Sequence, residues 1–165
     1  MKTITGRVFK FGDYVDVDSM GTGGRRPAKD YVMTKIRPNF PQEVKPGDVI
    51  IAGVNWGAGS AGGGEAVSRP LKELGVGAIV VDSVARLIYR SCISIGLPIL
   101  ICMGVSKMFN DGDQIELNIA TGEIKNLTTG KNMSCKPLPE HLLQILEVGG
   151  IRQLFLEKAH QMGYI

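Results

Sequence analysis

Apolar positions along the chain follow two rhythms. Thr5 to Phe9 alternates with polar residues and predicts a first strand. Unbroken apolar runs at Val49 to Ala52, Ala78 to Val81 and Pro98 to Met103 predict buried strands, as in sheets covered on both faces. Elsewhere the period lengthens to that of a helix. Val84, Leu87, Ile88, Cys92 and Ile95 form an i, i+3, i+4 series that predicts one helix, with Ser83 as its cap, Gly96 just past its end and Pro98 preventing continuation. Glu65 to Leu74 also carries helical spacing, but Pro70 is tolerated chiefly in a first turn. A helix starting at Ser68 as N-cap is therefore expected, with 55–67 left as a long loop. Gln114 to Ala120, the turn Thr121-Gly122 and Glu123 to Leu127 read as a hairpin with Ile115, Leu117 and Ile119 on one side. A short helix is expected near Lys29 to Met33, and two more over Pro139 to Val148 and Ile151 to Met162. Strand, loop, strand, helix, strand, helix, strand, hairpin and helices in that order predict an α/β layered domain.

At 165 residues the chain suits one domain with a single core. A net charge of +3 is spread without any basic run, so no nucleic-acid partner is expected. No apolar segment approaches the ~20 residues of a membrane span, and the N-terminal MKTITGRVFKFGD lacks a signal peptide's apolar core, so the expected location is cytoplasmic. Cys92, Cys102 and Cys135 contain no CxxC pair, and neither His141 nor His160 clusters with them. A structural zinc or a self-contained iron–sulfur cluster is therefore not expected on this chain, and the thiols read as buried or reduced. Asp13, Asp16 and Asp18 have part of a calcium loop's spacing. Its sixth and twelfth positions, however, are Asp18 and Gly24, where glycine and an acid are needed. They read instead as a turn whose carboxylates hold backbone N–H groups.

Candidate chemistry concentrates in two glycine loops expected to face each other. Gly57, Gly59, Gly62, Gly63 and Gly64 follow the strand at Val49. Such density lets backbone lie close to a ligand or a neighbouring chain. Gly21-Thr22-Gly23-Gly24-Arg25-Arg26-Pro27 carries an adjacent arginine pair, and a guanidinium grips a carboxylate in a bidentate fork. Gly57-Ala58-Gly59-Ser60-Ala61-Gly62 also matches the dinucleotide-binding pattern, with Asp82 placed to hold a ribose hydroxyl. Asn55 and Trp56 separate that pattern from its strand, and Pro70 interrupts the helix it needs. A nucleotide-binding oxidoreductase is thus one alternative, and a non-catalytic partner module is another.

NWGAGS at 55–60 and VGAIVVDSVARLIYRSCISIGLPIL at 76–100 resemble the small subunit of 3-isopropylmalate dehydratase and the swivel domain of the aconitase superfamily. GRVFKFGDYVDVDSM and PGDVIIAG extend the resemblance over about residues 5–104. It implies a swivelling β/β/α domain over 1–165. It implies a hydro-lyase subunit of leucine biosynthesis, active only with a large subunit that carries the 4Fe-4S cluster, on a branched malate-type hydroxy-acid. The family loop reads N-[FYW]-G-x-G-S-S-R-E-H. Asn55, Trp56, Gly57, Gly59 and Ser60 match it, so the resemblance makes Ser60 the base that removes the substrate proton and places Asn55, Gly57, Gly59 and Ala61 against the substrate. After Ser60 the chain departs, reading Ala61-Gly62-Gly63-Gly64-Glu65-Ala66. Glu65 stands for the family's Glu, while its Arg and His have no counterpart. Three outcomes stay open: Arg25, Arg26 or Arg69 replaces the charge, the substrate differs, or the chain is non-catalytic. Arg86 and Arg90, one turn apart, read as structural, paired with acids or helix ends.

Overall fold

The computed structural model describes residues 3–59 and 64–165. Seven strands form one sheet in the order β4-β3-β2-β1-β5-β6-β7. They are β1 (Thr3–Lys10), β2 (Val49–Ala52), β3 (Ala78–Val81), β4 (Ile99–Ile101), β5 (Gln114–Asn118), β6 (Glu123–Asn126) and β7 (Asn132–Ser134). The central strand β1 joins two unlike halves. Its first residues pair antiparallel with β5, Ile4 opposite Leu117, and its last residues pair parallel with β2, Phe9 opposite Ile50.

The parallel half β1–β4 carries the predicted apolar runs, with every residue of β2 and β3 buried. The antiparallel half alternates, and Ile115, Leu117, Ile119 and Ile124 point into the core. The sheet curls far enough that Cys135, just past β7, touches Cys102, just past β4. Short helical turns fill the connections: α1 (Val17–Met20), a 3₁₀ turn (Ala28–Asp30), α2 (Phe40–Glu43) and, after β4, α5 (Val105–Met108). The helix expected at Lys29 to Met33 is that 3₁₀ turn, after which Met33 adopts φ 66° with its side chain buried in the core.

Two longer helices pack together beside the parallel half, α3 (Gly64–Glu73) and α4 (Arg86–Ser94). The start of α3 corrects the expected loop: the helix begins four residues before Ser68, and Pro70 lies inside it. The carbonyl that Pro70 cannot bond belongs to Ala66, on the exposed side of the helix, where water reaches it. Ser68 does not cap. It is fully buried, and its hydroxyl meets that of Ser91 on α4 at 2.6 Å. The cap and face predicted for α4 also shift. Ala85 is the N-cap, and Ser83 turns away to accept the Asn55 N–H at 2.7 Å. Ile88, Cys92 and Ile93 form the buried face, and Leu87 is 47% exposed. The C-terminus is as predicted. Leu97 N–H donates to Cys92 O (2.8 Å) and Gly96 N–H to Ile93 O (3.0 Å), with Gly96 at φ 80°, a left-handed closure that glycine adopts without penalty.

β7 has one inward apolar residue, Met133, and no strand signal in the sequence. It is built by fully buried Asn126, which donates to Asp113 Oδ2 (2.8 Å) and Met108 O (3.0 Å). Asn126 Oδ1 accepts the N–H groups of Thr128 and Thr129, turning the chain back. The helices α6 (Glu140–Glu147) and α7 (Ile151–Gln161) close the chain against α4 as expected. No described helix is long and apolar enough to cross a membrane.

Candidate functional site

The first glycine loop leaves β2 and is stitched to two neighbouring segments. Tyr14 N–H donates to Val54 O (2.8 Å), Gly57 N–H to Val15 O (2.7 Å) and Val17 N–H to Ala58 O (2.9 Å). On the other side Trp56 N–H donates to Ser83 O (3.0 Å) and Ala85 N–H to Trp56 O (2.9 Å). The loop is therefore a short ribbon between 13–17 and 83–85, at the carboxyl ends of the parallel strands, where open α/β sheets bind ligands. Trp56 anchors it from below. The side chain is fully buried, with its ring centroid 5.8 Å from that of Phe11.

Two of the three aspartates, Asp13 and Asp16, hold backbone N–H groups as expected. Asp13 Oδ1 accepts the Val54 N–H (2.9 Å), and Asp16 caps α1 by accepting the Ser19 N–H (2.8 Å) and hydroxyl (2.8 Å). The bond from the Ser19 amide, then that from its hydroxyl, holds the Asp16 carboxyl below its ordinary range.

Asn55 is exposed and adopts φ 56°, a left-handed conformation that asparagine tolerates better than most residues. Gly57 is buried and Gly59 exposed. Ser60 and Ala61, the expected base and its neighbour, lie outside the described residues. Their flanks border a cavity of ≈ 360 Å³ lined by Gly64, Glu65, Leu87 and Arg90 among others, and open onto two more. A cleft of ≈ 610 Å³ lies between 22–28 and α3, lined by Thr22, Arg26, Glu65, Ala66 and Arg69 among others. A smaller cavity of ≈ 190 Å³ is lined by Val17, Gly57, Gly59, Gly64, Arg86 and Leu87, with Ala85. The second glycine loop thus faces α3 across the first cleft, and the undescribed segment lies, along the chain, between residues that line both cavities.

The expected arginines separate on inspection. Arg25 lies over the Tyr31 ring at 4.6 Å and donates from Nε to Thr22 O (3.2 Å), so its guanidinium already has partners. Arg26 lines the larger cleft. Arg69 pairs with Glu65 one turn before it, its Nε 3.0 Å from the carboxylate, and its charge is answered there. Arg86 and Arg90 do not pair with acids: among the described residues neither side chain has an ion pair or hydrogen bond, and both are exposed. Arg86 is the residue that sequence reasoning set aside and the structure brings to the loop. One signal was available, since a cation at the first position of a helix opposes the helix dipole and needs a reason.

Asp82 is buried and committed elsewhere. Oδ1 accepts the Gly104 N–H at 2.8 Å, and Oδ2 accepts the Ser106 hydroxyl. It has no free oxygen aimed at a ribose, which removes the acid on which the dinucleotide reading depended. The thiols do not fit an iron–sulfur cluster. Cys92 sits on the core face of α4, where burial pushes its thiol up to about 12. Burial first, and Cys135 beside it second, push Cys102 up to about 12 as well. Among the described residues no three His, Cys, Asp or Glu side chains gather as a metal site.

No protein-family model matches the chain. It is 42% identical over 161 residues to the isopropylmalate/citramalate isomerase small subunit of Methanocaldococcus jannaschii, covering 94% of this chain and 95% of that one. It is 41% identical over 157 residues to the 3-isopropylmalate dehydratase small subunit 1 of Methanopyrus kandleri, covering 92% and 91%. Among solved structures, a 3-isopropylmalate dehydratase from Methanocaldococcus jannaschii superposes with a TM-score of 0.88 at 32% identity, covering 99% of this chain and all of that one. The swivelling β/β/α architecture implied by the glycine loop and its flanking strands is therefore the fold. With relatives this similar over nearly the full length of both chains, the protein belongs to the family of 3-isopropylmalate dehydratase small subunits.

Proposed function

We propose that the chain acts as one swivel-type domain over residues 1–165, in the cytoplasm, and supplies the proton-abstracting side of a hydro-lyase site. Its partner is a large subunit that carries the 4Fe-4S cluster. The reaction is reversible loss and addition of water on a branched malate-type hydroxy-acid, the substrate class suggested by relatives named for isopropylmalate and citramalate. The observation that carries this reading is the ribbon Asn55–Gly59. It presents side-chain-poor backbone at the carboxyl ends of the parallel strands, and the matching serine follows it directly. Ser60 removes the substrate proton. An alkoxide-type base is costly at a serine's ordinary pKa, so it needs N–H donors and positive charge close by. Gly59, exposed and directly before Ser60 in the chain, is the source proposed for the first of these. Asn55, Gly57, Gly59 and Ala61 shape the substrate surface.

The test is to assemble the chain with its large subunit and follow hydration of the unsaturated acid. Turnover by the pair and none by either chain alone is expected. A fully assembled, cluster-loaded pair inert on every branched malate-type acid would overturn the reading. A second expectation concerns the lone chain. Reconstituted anaerobically with iron and sulfide, it should show neither stoichiometric iron nor the broad visible absorption of a cluster, because Cys92 is buried in the core and the touching pair Cys102 and Cys135 falls short of a cluster's thiolate set.

The arginine loop yields a graded expectation. Arg26 faces the open cleft and Arg25 is already engaged with Tyr31 and Thr22. Arg26→Ala should raise KM by about 10- to 100-fold, the loss of a charge-assisted contact of ~1.5–3 kcal/mol. Arg25→Ala should raise it less. Steady-state kinetics giving the reverse order would assign the carboxylate to Arg25.

A further inference from the structure

We infer that Arg86 grips a substrate carboxylate at the smaller cavity and replaces the positive charge that the loop after Ser60 lacks. The inference rests on the hydro-lyase reading above and deepens it. Four arginines with described contacts show what a satisfied guanidinium looks like in this protein. Arg7 meets Asp48 and the Glu43 carbonyl, Arg37 meets Glu43 and Asp111, Arg69 meets Glu65, and Arg25 stacks on Tyr31. Arg86 has none of these among the described residues, and α4 has no acid in its first turn to answer it. Its position is also particular. It lines a cavity of ≈ 190 Å³ whose other described walls are Gly57, Gly59, Gly64, Val17, Ala85 and Leu87, so among the described residues Arg86 is the one charged side chain of the lining. A guanidinium there meets one carboxylate in a bidentate fork with nothing competing.

The two cavities have different places in the chain. Gly59 and Gly64, the residues bordering 60–63, line the Arg86 cavity, whereas Glu65 and Ala66 line the cleft that holds Arg26. A hydroxy-acid with two carboxylates therefore has one arginine without a described acid partner available in each of the two cavities. Arg90, one turn along α4, lines neither of these two; it lines a separate cavity of ≈ 360 Å³ that shares Gly64 and Leu87 with that of Arg86. It provides the control for a charge lost from the same helix.

The test compares Arg86→Gln, Arg86→Lys and Arg90→Gln in the assembled pair. Arg86→Gln should raise KM for the hydroxy-acid by about 10- to 100-fold with a smaller change in kcat. Arg86→Lys should recover part of the loss, because a point charge lacks the fork, and Arg90→Gln should stay within about twofold. Thermal midpoints and assembly with the large subunit should be unchanged in all three. A KM for Arg86→Gln within twofold of the parent in an active pair would overturn the assignment. So would loss of assembly in Arg86→Gln, which would mark Arg86 as a partner contact. A readout independent of turnover separates this inference from the reading it rests on. In the isotope-labelled full chain, malate should shift the amide resonances of Gly57, Gly59 and Gly64, and Arg86→Gln should abolish the shifts. If the pair proves inactive but the shifts appear and vanish as stated, the hydro-lyase reading fails and the carboxylate site stands. If malate moves none of these amides in the parent chain, the carboxylate site fails.

Discussion

Ser60→Ala in the assembled pair should lower kcat by ~10² to 10⁴, the contribution of a positioned general base. That corresponds to roughly 3 to 5 kcal/mol of transition-state stabilisation at about 1.36 kcal/mol per decade. KM should change far less, because a base acts on a proton that moves only in the transition state. Folding should be untouched. Alanine removes one hydroxyl and adds no volume, so stability should move by no more than ~0.5 kcal/mol. The separation between these two effects is the diagnostic. A structural serine would lose stability and rate together, whereas a base loses rate alone. Single-turnover measurement of substrate deprotonation, by loss of isotope from the labelled carbon, reads the step directly. Near-parental exchange by Ser60→Ala in a demonstrably active pair would remove Ser60 from the role of base and leave the glycine segment to be read as a contact with the large subunit.

How much of this was legible depends on what each residue packs against. The parallel strands were read correctly because Val49 to Ala52 and Ala78 to Val81 are buried on both faces and show it as unbroken apolar runs. The sheet order was not legible, since β1 pairs with β2 by its end and with β5 by its beginning, and nothing local marks that division. The start of α3 was missed because a proline in a seventh helical position looks prohibitive until the exposed Ala66 carbonyl is seen to need no partner from it. Leu87 was assigned to the core by its spacing. It is exposed because it lines the cavity beside Gly57 and Gly64, and a site surface need not obey the period of a packed face. Strand β7 had almost no apolar content to read, and it depends on one buried amide side chain. The site itself split in the same way. The ribbon 55–59 was visible as a matched motif, while Arg86 was not, because an arginine on a helix has many structural uses and what separates it from Arg90, equally without described partners, is the cavity it lines with Gly57 and Gly59.

Gly57→Ala should be the most damaging single methyl added to the site. The Cβ would stand 2.3 Å from Ile88 Cγ2, and Ile88 is fully buried on the core face of α4, so neither side has room to yield. Gly57 also holds φ 77°, where a side chain costs ~1–2 kcal/mol on its own. Overpacking adds ~1–3 kcal/mol. The sum, about 2–4 kcal/mol if part of the clash relaxes, should lower the thermal midpoint by about 5 to 15 °C for a chain of this length. Relaxation has one open direction, outward, because Gly57 N–H is tied to Val15 and Ile88 blocks the other way. That movement carries Gly59, and with it the proposed base, away from its position. A displacement near 1 Å costs about 10²-fold in rate, so kcat should fall at temperatures where the variant is fully folded. Removing the obstacle tests the cause. Ile88→Ala deletes the clashing methyl, and although it is destabilising by itself, the double variant should be at least ~1 kcal/mol more stable than the two single losses predict when added. It should also recover part of the lost kcat. Additive losses in the double variant would place the damage in the backbone angle rather than in the contact. A midpoint for Gly57→Ala within 2 °C of the parent would show that the ribbon is not wedged against α4 at all.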